Sequence, residues 1–301
     1  MQAPSGCITE RIFMNTQRMC LLLSFLIAAA SAVIAAPIPE ECRTAGFAIG
    51  CQGWTFNRFT VMEAIDKTAE AGGKVIELYP GQRFSTNGTA RFDHNATDEQ
   101  VEQVKARLAQ RGVRAVNYGV VSVPRDEAEA RKVFEFAKKM GLYAITTESV
   151  DAMDTIEKLV KEYDIRVGIH NHPRRPLDSN YKVWDPKYVL EVVKGRDRRI
   201  GAAADTGHWV RSGLVPVECL KILEGRIVSV HLKDLDERSP GAQDVPYGSG
   251  VSDIPGILEE LRRQKFEGNI SVEYENKWEN NVADAAQCIG FVRGYGTANK
   301  W

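Results

Sequence analysis

An excess of charge of either sign is missing from this sequence: 39 Lys+Arg stand against 40 Asp+Glu in 301 residues, a formal net charge of −1. Without a positive surplus or a long basic run, nothing would draw the chain onto phosphate backbones, and nucleic acid is not an expected partner. Cysteine is scarce as well. Of six in the chain, only Cys42, Cys51, Cys219 and Cys288 lie beyond residue 36, with no CxxC pair. Neither a disulfide-built scaffold nor a thiolate zinc site fits that pattern. A Cys42–Cys51 bridge is the pairing left open in an oxidising compartment, with two unpaired thiols the preferred reading.

Long hydrophobic runs are absent with one exception, Cys20 to Ala36 (CLLLSFLIAAASAVIAA). Arg11 and Arg18 precede it, and the small-residue pairs Ala30/Ala32 and Val33/Ala35 suit signal peptidase. Residues 1–36 are therefore expected to be a secretory signal peptide cleaved near Ala32 to Ala36, with Met14 as an alternative start. The run is short for a membrane span, so no membrane contact is expected once the leader is gone. Its loss removes Glu10, Arg11 and Arg18 and leaves a charge of about −2. Such a leader specifies export, to a periplasm or to the outside, and nothing finer.

A glycine-rich phosphate fingerprint is also missing: Ile49-Gly50-Cys51-Gln52-Gly53-Trp54 does not fit GxGxxG, which weakens the case for an open doubly wound sheet. Residues 37–301 instead alternate short β-branched runs with amphipathic stretches. Strands are expected at Phe47–Cys51, Val75–Leu78, Arg114–Tyr118, Tyr143–Thr147, Arg166–His170, Ile200–Asp205, Ile227–Leu232 and Ile270–Tyr274. Helices are expected at Thr60–Ala71, Asp98–Arg111, Arg125–Lys139, Asp151–Lys161, Pro186–Val193, Pro216–Leu223, Ile254–Gln264 and Val282–Gly294. Thr97 and Asp253 read as N-caps, and Gly72-Gly73, Gly112, Gly141 and Gly268 as helix stops. Eight strand-then-helix units with near-continuously apolar strands predict an α/β fold, a single-domain (β/α)8 TIM barrel.

In such a barrel the chemistry stands where strands run out at their carboxyl ends. Strand 4 ends in Thr146-Thr147-Glu148-Ser149, strand 5 in His170-Asn171-His172-Pro173 and strand 6 in Asp205-Thr206-Gly207-His208-Trp209. Strand 7 ends in His231-Leu232-Lys233-Asp234 and strand 8 in Glu273-Tyr274-Glu275. A single Asp or His after a strand is ordinarily a cap or a loop contact. Here four of the five histidines fall in these segments, only His94 lying elsewhere. His170, Asp205, His231 and Glu273 recur at about one strand-helix repeat, which directs them at the barrel axis. Carboxylate and imidazole together suit one divalent ion such as Mn²⁺, Zn²⁺, Co²⁺ or Mg²⁺.

These residues resemble the xylose isomerase-like TIM barrels, the sugar phosphate isomerase/epimerase family, which includes an AP endonuclease branch. The resemblance runs from Gly46 to about Val292 and is densest from Ile169 to Glu275. It implies one metal held by a Glu after strand 5, an Asp in a DTxH segment after strand 6, a His after strand 7 and a Glu after strand 8. Asp205, His231 and Glu273 match the last three, with His208 in the DTxH position. At strand 5 the family's Glu-Asn-His is replaced by His170-Asn171-His172. Either His170 binds the metal itself, or Glu148 supplies the missing carboxylate while His170 acts as base or substrate contact; Glu148 is read as at or next to the metal.

The resemblance also implies proton abstraction next to a carbonyl of a sugar or keto-sugar, giving isomerisation or epimerisation. A carbon acid of that kind needs both a positioned base and stabilisation of the enediolate. Glu273, His170 and Lys233 are the expected catalytic residues. Trp54, His172, His208, Trp209 and Arg211 are the expected substrate contacts, with Tyr79, Trp184 and Trp278 as further sugar-facing rings. Gly248-Ser249-Gly250 resembles the family's glycine loop after strand 7, but is a weak phosphate cradle. An exported protein fits a free or oxidised sugar better than a phosphosugar, and self-association is left open. Three alternatives stand beside this reading: a lyase eliminating from 3-keto-glycosides at the same site, a non-catalytic sugar-binding barrel, and a nuclease. The nuclease would need further histidines where strands 2 and 3 end in Tyr79-Pro80 and Tyr118-Gly119.

Overall fold

The computed structural model describes residues 37–301; the expected leader, 1–36, lies outside the described residues. Eight strands close into a barrel: β1 Ala48–Gln52, β2 Val75–Leu78, β3 Arg114–Tyr118, β4 Ala144–Thr147, β5 Arg166–His170, β6 Ile200–Asp205, β7 Ile227–Leu232 and β8 Asn269–Val272. Their order around the barrel is β1-β8-β7-β6-β5-β4-β3-β2, all parallel, with Ala48 of β1 opposite Asn269 of β8 at the closure. The helices are α1 Val61–Glu70, α2 Asp98–Arg111, α3 Glu127–Met140, α4 Met153–Tyr163, α5 Pro186–Val193, α6 Thr206–Arg211, α7 Pro216–Ile222, α8 Ile254–Arg263 and α9 Val282–Ala298. The expected (β/α)8 TIM barrel is the observed fold. No helix among the described residues is long and apolar enough to cross a membrane.

Local chemistry sets the helix starts. At α1 the Thr60 hydroxyl accepts from Glu63 N (3.2 Å) while the Glu63 carboxylate accepts from Thr60 N (2.8 Å). Thr97 and Gln100 do the same at α2, and Asp253 accepts from Gly256 N at α8. Each arrangement satisfies amides that a helix start leaves free.

Strand alternation then sorts the side chains. On β8, Ile270 and Val272 enter the main apolar core, whereas Asn269 and Ser271 turn inward, where Asn269 Nδ2 donates to Ser271 Oγ (2.9 Å). Thr146 Oγ1 donates to Asn117 Oδ1 (3.2 Å) in the same buried polar interior. The apolar layer between strands and helices holds the barrel together, leaving its interior free for polar groups.

All four described cysteines are free, as the preferred reading had it: Cys51 is sealed in the main core while Cys42 packs at a separate small cluster, and the bridge left open does not form. Other expectations are corrected. Gly268 does not stop α8, which ends five residues earlier with Lys265 in the left-handed region (φ 54°). Gly268 is small because a Cβ there would stand 2.0 Å from the Val228 carbonyl oxygen. The last strand stops at Val272 because Tyr274 N donates to Thr55 Oγ1 (3.0 Å) instead of to the sheet. The hairpins Gln82–Arg83/Arg91–Phe92 and Asp234–Leu235/Asp244–Val245 are too short to leave a periodic signal.

Candidate active site

The four strands β5 to β8 deliver His170, Asp205, His231 and Glu273 to one buried point, one donor atom of each lying within 4.8 Å of the others. Three buried atoms here, His170 Nε2, Asp205 Oδ2 and His231 Nδ1, make no well-formed hydrogen bond, although the Lys233 ammonium stands 3.2 Å from Asp205 Oδ2 and Glu273 Oε2 3.2 Å from His231 Nδ1. Such orphaned polar atoms are costly unless something occupies the space between them. Two nitrogens and two carboxylates, all buried, form a group that could hold a divalent ion, and its donor chemistry fits Zn²⁺, Mn²⁺ or Co²⁺ better than Mg²⁺.

The remaining nitrogen of each imidazole is held by a carboxylate. Glu148 Oε1 lies 3.0 Å from His170 Nδ1, and Glu77 Oε2 lies 3.0 Å from His231 Nε2 and also accepts from Ser271 Oγ (2.7 Å). Both rings are thereby fixed with their free nitrogen toward the cluster, the arrangement that orients metal-binding histidines. Asp205 is locked by its backbone: Asn171 accepts from Asp205 N (2.9 Å) and donates to Asp205 O (2.9 Å). Its other oxygen, Oδ1, caps α6 by accepting from His208 N (2.6 Å).

Lys233 brings a cationic side chain to this point. Its buried ammonium stands 3.2 Å from Asp205 Oδ2, 2.8 Å from Glu273 Oε2 and 2.7 Å from Glu275 Oε2. Burial alone would favour neutral lysine, yet Asp205, Glu273 and Glu275 outweigh it and push the ammonium's pKa well above the ordinary value. Burial would likewise raise Glu273; Lys233 and His231 outweigh it and hold the carboxyl below the usual range. Gly207 permits this packing, since a Cβ there would stand 2.7 Å from Lys233 Cβ.

Above the cluster opens a pocket of about 330 Å³ lined by Trp54, Tyr79, His170, His172, His208, Glu273 and Glu275, among others. Trp54, 40% exposed, and His172, whose side chain is 44% exposed, are open parts of its wall. His172 Nδ1 meets Glu148 Oε1 at 2.6 Å, so its other nitrogen is the free one. Burial holds the His208 imidazole well below its ordinary pKa, against the pull of Asp205, and keeps it neutral.

The structure redistributes the remaining expected residues. Glu148 stands behind the cluster: its Oε1 is engaged by His170, His172 and the Tyr181 hydroxyl (3.0 Å). For Glu148 burial acts upward, but the hydrogen bonds from His170 and His172 prevail and lower its pKa. Trp209 is 1% exposed and packs in the core, because α6 begins directly after Asp205 and its turn rotates the indole away from the pocket. Arg211 is fully engaged, with Asp244 Oδ2 at 2.8 Å, Glu275 Oε2 at 3.3 Å and the Ala242 carbonyl at 3.2 Å, and holds a loop instead of a ligand. Trp184 faces the Arg174 guanidinium (5.2 Å). The amides of Gly248 and Gly250 both donate to Asp234 Oδ2 (2.9 Å each), so the glycine loop presents no cradle. Glu77 was not foreseen; a lone carboxylate within the buried run Val75–Leu78 was the available signal.

Comparison with known proteins places the chain among relatives. The profile of a family described as xylose isomerase-like TIM barrel matches residues 65–293. A crystal structure of an uncharacterized protein from Parabacteroides distasonis is 31% identical, with a TM-score of 0.66 over 83% of this chain and 99% of that one. An inosose dehydratase from Clostridium tetani is 28% identical over 145 residues, 41% of this chain and 45% of its own length. In fold the chain is also similar to D-allulose 3-epimerase from Methylomonas sp. in complex with D-allulose, at 15% identity and a TM-score of 0.61 over 82% and 96% of the two chains. The chain spans about half the length of most of the curated relatives it matches, 49% for a Methanocaldococcus jannaschii protein of uncharacterized function.

Proposed function

The chain belongs to the xylose isomerase-like TIM-barrel family, and from that premise we propose that it is a metal-dependent carbohydrate enzyme that removes a proton from a carbon next to a carbonyl. The observation that carries this reading is the convergence of His170 Nε2, Asp205 Oδ2, His231 Nδ1 and a Glu273 oxygen beneath an aromatic-walled pocket. His170, Asp205, His231 and Glu273 would hold a divalent ion, which would supply positive charge toward an oxygen next to the carbon that loses its proton.

The chain's own residues divide the remaining work. His170 has one nitrogen on Glu148 and the other in the cluster, so we assign it as the fourth ligand and not as the base. His172 takes the base's place: Glu148 fixes its Nδ1 and its other nitrogen faces the pocket. Glu273 directly follows β8, three strands from β5 around the barrel, and handles the proton on the far side of the substrate. Lys233 holds Glu273 ionised and steadies negative charge developing beside it.

The substrate we propose is an unphosphorylated sugar or keto-sugar. The pocket lining contains two glutamates and no lysine or arginine, an electrostatic setting hostile to a phosphate dianion. The same carbanion can instead expel a leaving group from the neighbouring carbon; the likeness to inosose dehydratase supports elimination as the second reading. The leader pattern supports export.

The test is metal analysis by mass spectrometry of the protein and of Asp205→Ala and His231→Ala, with each incubated with a keto-sugar panel in D₂O. Metal lost in both variants, with deuterium incorporated by wild type alone, is the expected result. Metal-loaded wild type that exchanges no carbon-bound hydrogen on any sugar would overturn the reaction.

A further inference from the structure

The mouth of the barrel carries an aromatic surface that extends beyond the single-sugar pocket to Trp278. Trp54, on the loop after β1, packs edge-on against Tyr79 (ring centres 5.2 Å apart, 87°) and on another flank against Trp278 (6.3 Å, 80°). Its indole nitrogen donates to Glu275 Oε1 (3.2 Å), tying it to the charged group around Lys233. Beyond Trp278 lies a second, open hollow of about 400 Å³ lined by Arg58, Lys277, Trp278, Glu279 and Asn280. Trp54 lines the first hollow and Trp278 the second, and the two indoles meet edge-on between them.

This platform is braced. The loops after β1 and β8 are neighbours because those strands close the barrel, and they are stitched together. Asn281 Nδ2 donates to the Thr55 carbonyl (2.7 Å), Thr55 Oγ1 donates to the Val272 carbonyl (3.0 Å), and Tyr274 N donates to Thr55 Oγ1 (3.0 Å). The Asn281 side chain and Thr55 are buried. A surface held this way is ready before a ligand arrives, which lowers the ordering cost of binding.

Flat apolar faces ringed by donors and acceptors suit pyranose rings, whose C–H faces stack on indole while their hydroxyls seek polar partners. We infer that Trp278, with Lys277, Asn280 and Arg58 around it, forms a second subsite for a further sugar ring, so that the substrate is a disaccharide or larger glycoside. The inference rests on reading the barrel pocket as a carbohydrate site. Trp54 and Trp278 meet at 80°, a corner that accepts two linked rings in different planes. The charged rim around Trp278 favours a hydroxylated ring over an aromatic aglycone.

The test is calorimetric binding to the Mn²⁺-treated protein, which needs no turnover. The probes are the pairs glucose and cellobiose, galactose and lactose, and fructose and lactulose, with p-nitrophenyl β-glucoside alongside. At least one disaccharide should bind about tenfold more tightly than its monosaccharide, the equivalent of ~1.4 kcal/mol. Trp278→Ala should abolish that advantage and leave the monosaccharide within about twofold, while Trp278→Phe keeps most of it. Equal affinities within every pair, or no binding by any disaccharide, would overturn the inference. So would a Trp278→Ala variant, folded by circular dichroism, that weakens both members of a pair alike. An aryl glucoside that outbinds every disaccharide would reassign the hollow to an aromatic group. Binding that shows the disaccharide preference without deuterium exchange would leave the subsite standing and remove the enolising reading; exchange without the preference would do the reverse.

Discussion

Glu77 Oε2 lies 3.0 Å from His231 Nε2 although the two residues are separated by 154 positions in the chain and both are wholly buried. The contact fixes which nitrogen of His231 is left for the cluster.

Glu77→Gln keeps the volume and the contact to Ser271 but offers an amide where a carboxylate stood. Zn²⁺ or Mn²⁺ affinity, measured by calorimetry or chelator competition, should fall about 10- to 100-fold, as for other partners that orient a ligating imidazole. An unchanged affinity would make Glu77 a packing residue only.

Lys233→Met removes the cation that faces Asp205 and Glu273. Leaving buried carboxylates uncompensated should lower metal-free stability by about 3–5 kcal/mol. A divalent ion should then raise the melting temperature of the variant by more than it raises that of wild type, because the ion replaces the lost charge. Scanning calorimetry with and without metal decides this; equal shifts would show that Lys233 and the ion do not share the same carboxylates.

Burial raises the Asp244 carboxyl to about 6, against the opposing charges of Lys233 and Arg211. A raised acid binds its proton more tightly when folded, so its contribution is full below its unfolded pKa and is lost as pH rises through about 6. Asp244→Asn lacks that loss. Relative to wild type, its stability should therefore improve by about 2 kcal/mol between pH 4 and pH 7. Urea unfolding at the two values measures the difference, and a gap independent of pH would mean that Arg211 keeps Asp244 ionised throughout.

Burial pushes the thiols of Cys51 and Cys219 up to about 12, and raises Cys288 as well. At pH 8 these three should resist a thiol reagent in the folded protein, leaving half-buried Cys42 as the slow reactive position. Mass spectrometry of labelled peptides before and after unfolding locates the modified residues; native labelling of Cys51 would mean that the core opens.

Much of the fold was legible because its signals are local. Period-2 and period-3.6 patterning, Thr97 and Asp253 as caps, and one polar cluster at each strand end point the same way without any long-range information. His170, Asp205, His231 and Glu273 were readable for that reason. Trp209 was not: its position after β6 suggested the pocket, and only the immediate start of α6 after Asp205 turns it into the core. Arg211 and Glu148 looked available because a sequence shows charge but not the partners that occupy it. Asp244 and Glu275 engage the first; two histidines and Tyr181 engage the second. Glu77 acts across the barrel, and no spacing along the chain encodes that distance.

The four cluster residues come from β5 to β8, while the carboxylates behind them come from β2 and β4. No short contiguous fragment therefore carries the whole centre, and the site forms only once strands from most of the barrel are in place. Assembly precedes loading. On the proposed metal-dependent reading, a divalent cation plentiful where β1 finally pairs with β8 would be the one that fills the cluster, so cellular geography would choose the metal as much as ligand chemistry does.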